Sequence, residues 1–269
     1  MSAPAIGPGG LAIAALLVLA SAAVSLVLQL GLARGLLVAA LRTIVQLLLV
    51  GMVLEWVFAL RSPLLVAAVL ALMFTLASRE ILSRQERRLA GGWSRWIAGG
   101  SMLAATVVAM FAGLAALRPR PVLEASVLIP LLGIVLGNVM NGVSLSLNTF
   151  HNGVVRDRLA IEARLALGSN RFDALRSTQI GALRSGLIPI LNQMSAAGVI
   201  TLPGMMTGQV LAGMPVLEAA KYQILVLLLI AGASCLGAIL ASWIAVRRIS
   251  DERDRLRLDR LLGVSRSQR

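Results

Sequence analysis

One cysteine, one histidine and one tyrosine occur in 269 residues, and acidic residues number 12 against 25 basic ones. The single thiol, Cys235, forbids an intramolecular disulfide, and its place within an apolar run reads as packing. The single imidazole, His151, leaves little room for histidine-based catalysis, and HExxH and GxSxG patterns are missing as well. No GxxxxGK[ST] occurs, so the chain has no phosphate-cradling loop and does not itself hydrolyse ATP. Paired carboxylates inside apolar runs, the sign of a proton-coupled carrier, are lacking. Glu55 and Arg42 share one run but stand about 20 Å apart along a helix, too far to pair. Linkers, low-complexity tracts and internal repeats are also absent, which leaves one domain. A transport protein with neither an ATPase nor a proton relay must borrow its energy.

What is present is apolar: 58% hydrophobic residues, 14% charged residues and a mean hydropathy of +0.87. Such a composition excludes an ordinary water-soluble domain. The apolar residues form runs near the roughly 20 residues that a bilayer-crossing helix needs. Period-two alternation is absent, which selects helices over a membrane β-barrel. The expected fold is therefore an all-α integral membrane protein of about seven spans, at 10–31, 36–60, 63–78, 96–117, 126–149, 182–202 and 221–246. The third is short and starts at Pro63. No basic residue precedes the first span, which argues for an uncleaved first helix.

Arginine sets the topology. Arg34, the basic residues of 79–95, those of 150–184 and those of the tail 247–269 fall on one side. The other side holds only Arg61, Arg118, Arg120 and Lys221, with Arg42 inside a span. By the positive-inside rule the N-terminus lies outside and the C-terminus is cytoplasmic, in an inner (cytoplasmic) membrane. This confinement of base to particular loops also argues against a nucleic-acid partner; the partner that composition demands is the lipid bilayer.

Four segments carry the polar chemistry. Residues 152–189 follow the fifth span, and their centre, Glu162-Ala163-Arg164-Leu165-Ala166-Leu167-Gly168, predicts a cytoplasmic helix with Leu159, Ala163 and Ala166 on one face. Gly168 ends it, and Ser169 or Asn170 caps the next helix, with Asp173 three places beyond Asn170. Such a knob suits either a soluble partner that pushes it or the lipid interface. The second span carries Arg42 and Gln46 one turn apart, for substrate contact or for snorkelling. In the fifth, residues 129–145, Gly133 and Gly137 predict close helix contact, and Asn138 and Asn141 share a face. These two amides either line a translocation path or hold the bundle by interhelical hydrogen bonds.

The sixth span holds Pro189, Asn192 and Gln193. After it comes TLPGMMTGQVLAGMP, residues 201–215. The stretch Met205–Met214 is about 15 Å as helix, too short to cross, and predicts a broken helix near the outer side at 203–215. Met205, Met206 and Met214 read either as soft metal ligands or as adaptable packing at a moving interface, with Gln209 as the nearby polar group. No metal-ligand set is evident.

The order and spacing of these motifs resemble the FetB-like family of iron-export ABC permeases, to which plant aluminium-tolerance permeases are related, over roughly residues 36–250. The resemblance implies that 156–176 is the ATPase-coupling segment, with Glu162, Ala163, Arg164, Leu165 and Gly168 at its centre; Arg164 replaces the usual second alanine. It also implies two copies of this chain working with two separate ABC ATPase subunits that bind ATP and Mg²⁺. No cofactor is expected on this chain, and the expected cargo is a metal ion or complex such as iron, moving outward. The expected path residues are Arg42, Gln46, Asn138, Asn141, Asn192, Gln193, Met205, Met206 and Gln209. The alternatives are the same machine with another solute, such as a sugar nucleotide, or an ATPase-independent channel or scaffold.

Overall fold

The structure, a computed structural model, describes residues 8–60, 62–117 and 124–263. Arg61, Arg118 and Arg120, assigned above to the outer side, lie outside the described residues. The protein is an all-α integral membrane protein. Its described residues form α1 (Pro8–Val27), α2 (Ala33–Leu60), α3 (Pro63–Ser83), α4 (Trp93–Leu117), α5 (Ala125–Arg156), α6 (Arg158–Ala166), α7 (Arg171–Ala196), α8 (Gly204–Leu211) and α9 (Val216–Ile249). Six of these, α1 to α5 and α9, are long and apolar enough to cross a bilayer.

The sixth expected span, 182–202, is corrected. α7 is one helix from Arg171 to Ala196, so it takes in the end of the expected coupling segment and stops short of 202. Its stretch of about 39 Å is long enough to cross, but Arg171, Asp173, Arg176 and Arg184 dilute its apolar character. What sequence hydropathy missed is a buried seam: Ala174, Thr178, Ala182, Gly186 and Ile190 recur every fourth residue and are all buried. Pro189 lies within α7 without ending it. The third span is also corrected, since α3 continues past residue 78 to Ser83. Glu80 and Arg84, at i and i+4, pair at 3.2 Å over its last turn, so charge there extends the helix rather than stopping it.

α5 is the central helix, packed by α3, α4, α7 and α9. Of the two glycines expected to give close contact, Gly133 does so, since a Cβ there would stand 3.2 Å from Met73 of α3, but the tightest approach falls further along α5. A Cβ at Gly137 would meet nothing within 4 Å, whereas one at Gly186 of α7 would overlap Ser146 and come 2.6 Å from the Gly142 carbonyl oxygen. On the α9 side, a Cβ at Gly237 would stand 3.0 Å from Val139. Lipid gives apolar helices no hydrophobic reason to associate, so small residues that let backbones approach do that work.

The Arg-rich loops gather at one end. Arg87–Leu89 (β1) pairs antiparallel with Leu261–Gly263 (β2), so the tail folds back onto the α3–α4 connection, a feature the sequence did not announce. Arg260 Nη1 donates to the Arg248 and Ser250 carbonyls at the end of α9, and Arg248 lies 3.2 Å from the Trp93 ring centroid. The connection itself is stapled to α5. The Glu86 N–H donates to Asn148 Oδ1 at 3.1 Å, Arg87 Nε donates to Asn152 Oδ1 at 3.1 Å, and the buried His151 Nδ1–H donates to the Arg87 carbonyl at 3.1 Å.

Candidate translocation cavity and coupling elbow

Gly133, Gly137 and Asn141 repeat every fourth residue on α5, and Gly137 leaves space where a side chain would stand. That space is a cavity of about 470 Å³ between α5, the end of α7, the start of α8 and α9. It is lined by Asn138, Asn141, Gln193 and Met205 among the expected residues, together with Arg84 and Gln223. Arg84 Nη1 donates to Asn141 Oδ1 at 2.7 Å, so Asn141 makes an interhelical bond at the cavity wall itself. Asn138 Nδ2 donates to the Ile134 carbonyl of its own helix at 2.9 Å. Gln223 is 7% exposed, and its Oε1 is buried without a hydrogen-bond partner.

The other expected path residues fall elsewhere. Arg42 and Gln46 line a larger cavity of about 1300 Å³ between α2 and α3, which shares Arg84 and Met140 with the first. Asn192, Met206 and Gln209 line neither, and Gln209 Oε1 is a buried atom without a partner. Met214 is 39% exposed. The break near 203–215 is present: α7 ends in a turn where Ile200 and Thr201 N–H groups donate to the Ala196 carbonyl, and the short α8 begins after Pro203. Among the described residues no three His, Cys, Asp or Glu side chains converge as a metal site would require.

The coupling region forms a helical elbow. Gly168 takes φ +91°, a conformation that Cβ sterics disfavour for other residues. Its N–H donates to the Leu165 carbonyl and that of Ser169 to the Arg164 carbonyl, which is the Schellman pattern that closes α6. Asn170 then caps α7, accepting from the N–H groups of Phe172 and Asp173 at 2.9 and 3.0 Å. Arg164 Nη1 donates to Ser177 Oγ at 3.1 Å and so ties α6 to α7. Glu162 pairs with Arg158 at 2.8 Å. The face carrying Ala163 points out to solvent, with Leu159 80% exposed and Leu167 beyond it 87% exposed, while Ile161 is buried and Leu165 half-buried beneath. Below the elbow, Phe172 stacks on Trp243 and Arg171 pairs with Asp254, fastening it to α9 and the tail.

A model of the uncharacterised protein family UPF0014 matches residues 8–250. The chain belongs to the UPF0014 family. The UPF0014 membrane protein slr1647 of Synechocystis is 36% identical over 218 residues, covering 80% of this chain and 83% of its own. The Escherichia coli protein named "probable iron export permease protein FetB" is 29% identical over 255 residues, covering 91% and 93%. The UPF0014 membrane protein STAR2 of Oryza sativa subsp. japonica is 33% identical over 222 residues, covering 82% and 76%. No solved structure matches the chain significantly. The resemblance drawn from the motifs thus holds. This UPF0014 protein is a multi-pass protein of the inner membrane, of permease type.

Two lining residues of this UPF0014 chain escaped the sequence reading. Arg84 reads from the sequence only as a topology marker, because a loop arginine looks like any other. Gln223 carried a readable signal: it is a lone amide in the outer half of an otherwise apolar span.

Proposed function

We propose that the chain is the membrane subunit of an ABC exporter, in which two copies pair with two separate ATPase subunits. The observation that carries this reading is the α6–α7 elbow. It is locally rigid, it presents Leu159, Ala163 and Leu167 to solvent at the Arg-rich end, and it continues directly into the helices that line the cavity. An exposed apolar knob on a rigid base is what a soluble motor needs for docking. The Arg-rich end is cytoplasmic, where that motor resides. ATP and Mg²⁺ belong to the partner, and this chain supplies the path. The cargo is a metal ion or metal complex such as iron, moving outward; the support for this is the relative named as an iron export permease.

Replacing Glu162 by Ala and Gly168 by Leu removes the α6 ion pair and strains the turn while leaving the bundle intact. The expected result is a membrane-inserted chain that loses co-purification with its ATPase and loses ATP-driven metal movement in vesicles. Retention of both in the double variant would overturn the coupling assignment. Metal flux without nucleotide would instead establish a channel.

A further inference from the structure

The larger cavity holds chemistry that the coupling elbow does not use. On α2, Arg34, Val38, Arg42 and Gln46 recur every fourth residue, and beside them runs a second stripe of small residues, Gly35, Ala39 and Thr43, which Gly31 of the preceding turn extends. The small stripe leaves a groove against Leu76, Ala77, Arg79, Glu80 and Ser83 of α3. From Arg34 to Gln46 the groove extends about 18 Å, from the cytoplasmic end to around the middle of a bilayer about 30 Å thick.

Its ionisable lining is Arg34, Arg42, Arg79 and Arg84 against the single carboxylate of Glu80. Glu80 is already paired with Arg84. Among the described residues, Arg34, Arg42 and Arg79 make no salt bridge and no side-chain hydrogen bond. Three guanidinium groups without counter-charges in one recess, flanked by apolar walls, repel a bare cation and attract an anion more strongly than they would in open water. The planar fork of each suits a carboxylate or phosphate.

We propose that the α2–α3 groove is an anion-binding site, built to receive a carboxylate- or phosphate-bearing molecule on Arg34, Arg42 and Arg79. Two sources supply that chemistry. One is a soluble anion from the cytoplasm, in which case metal cargo approaches as an anionic chelate rather than as a bare ion. The other is the headgroup of an anionic lipid, whose tails the apolar wall of Val38, Leu76 and Met140 would accept. The site itself stands apart from the ATPase-driven reading; only its consequence for cargo rests on that reading.

The test uses the full chain without any ATPase, so loss of coupling cannot imitate loss of binding. In phosphatidylcholine nanodiscs, equilibrium dialysis measures binding of ferric citrate, of citrate alone and of ferrous ion alone. In detergent, native mass spectrometry measures retention of phosphatidylglycerol against phosphatidylcholine. The expected result is selective binding of citrate-bearing probes, of phosphatidylglycerol, or of both in mutual competition, weakening as salt rises. Soluble-anion binding identifies a cargo vestibule and phosphatidylglycerol retention identifies a lipid site. The double variant Arg42→Gln, Arg79→Gln lowers binding by about tenfold or more. The variant Arg42→Lys, Arg79→Lys recovers part of it, and Lys221→Gln on α9 leaves it unchanged. The proposal is overturned if neither anion class is preferred, if ferrous ion alone binds best, or if the double glutamine variant binds like the parent.

Discussion

The α1–α2 hairpin and the α5–α7–α9 core are both membrane-embedded, yet they are held by different rules. None of the most apolar stretch of α2 is buried within the chain, against half of that of α5. α2 presents Leu, Val and Ile on nearly every side, which secures insertion but gives no reason to choose a neighbour. The core is assembled through Gly142, Ser146, Gly153, Ala182, Gly186, Ser234 and Gly237, whose small size lets three backbones converge. Apolarity decides that a helix enters the bilayer, and small residues decide which helix it touches. α1 and α2 touch each other far more than they touch the body, so the basic groove opens on their loosely held side.

The sharpest way to break this contrast is a paired glycine exchange. Gly186→Ala forces a methyl against Ser146 and the Gly142 carbonyl and costs about 1–3 kcal/mol or more. Gly51→Ala, where nothing stands within 4 Å, raises helix stability by about 0.5–1 kcal/mol. Thermal unfolding in detergent should move in opposite directions for the two; equal shifts would remove the distinction between core and hairpin. Next in size is Gly168→Ala, which places a side chain at φ +91° and costs about 1–2 kcal/mol locally. Hydrogen exchange should quicken across 158–170 while α1 and α2 stay unchanged.

A smaller effect is expected for Asn170→Ala, about 1 kcal/mol from the lost cap of α7, read as fraying of its first turn. The smallest concerns the tail. Asp251 accepts from the backbone N–H groups of Arg255 and Arg253 and from the Arg255 side chain, and its carboxyl is lowered to about 2. A depressed carboxyl stabilises above its unfolded value, near 3.9, and loses that contribution as pH falls toward 2. Proteolysis of residues 250–263 by an acid-active protease should therefore rise only below about pH 4, and Asp251→Asn should weaken that dependence, leaving the part that Asp259, held down by the Arg257 side chain, contributes.

The spans and the elbow were legible for related reasons. A lipid-crossing helix must be long and apolar, so α1, α2 and α4 announce themselves within a few residues, while α5 runs seven residues past the expected 149 to Arg156 and α9 starts five before the expected 221. Gly168 and Asn170 have narrow conformational and capping roles, so the turn between α6 and α7 could be read residue by residue. The ends of α3 and α7 could not, because partly covered helices tolerate Arg and Glu that hydropathy counts as breaks. The β1–β2 ribbon pairs three residues with three across most of the chain, too short a pattern to stand out. Within the cavity, Asn138, Asn141, Gln193 and Met205 were legible as polar or soft groups at membrane depth. Asn192 was not separable from Gln193, since adjacent helix positions differ by about 100° and only packing decides which turns inward.

The crossing of α5 and α7 at Gly142 and Gly186 has a mechanical consequence. α7 is an unbroken rod of about 39 Å, and its tightest clamp lies part-way along, about 22 Å from the elbow end and about 15 Å from the end beside Pro203. Thr178 sits against Gly153 of α5, where a Cβ would come within 2.7 Å of it, so the same two helices are seated on each other at a second point nearer the elbow. A rod held by backbone-close contact at two places cannot slide along its neighbour without breaking that fit.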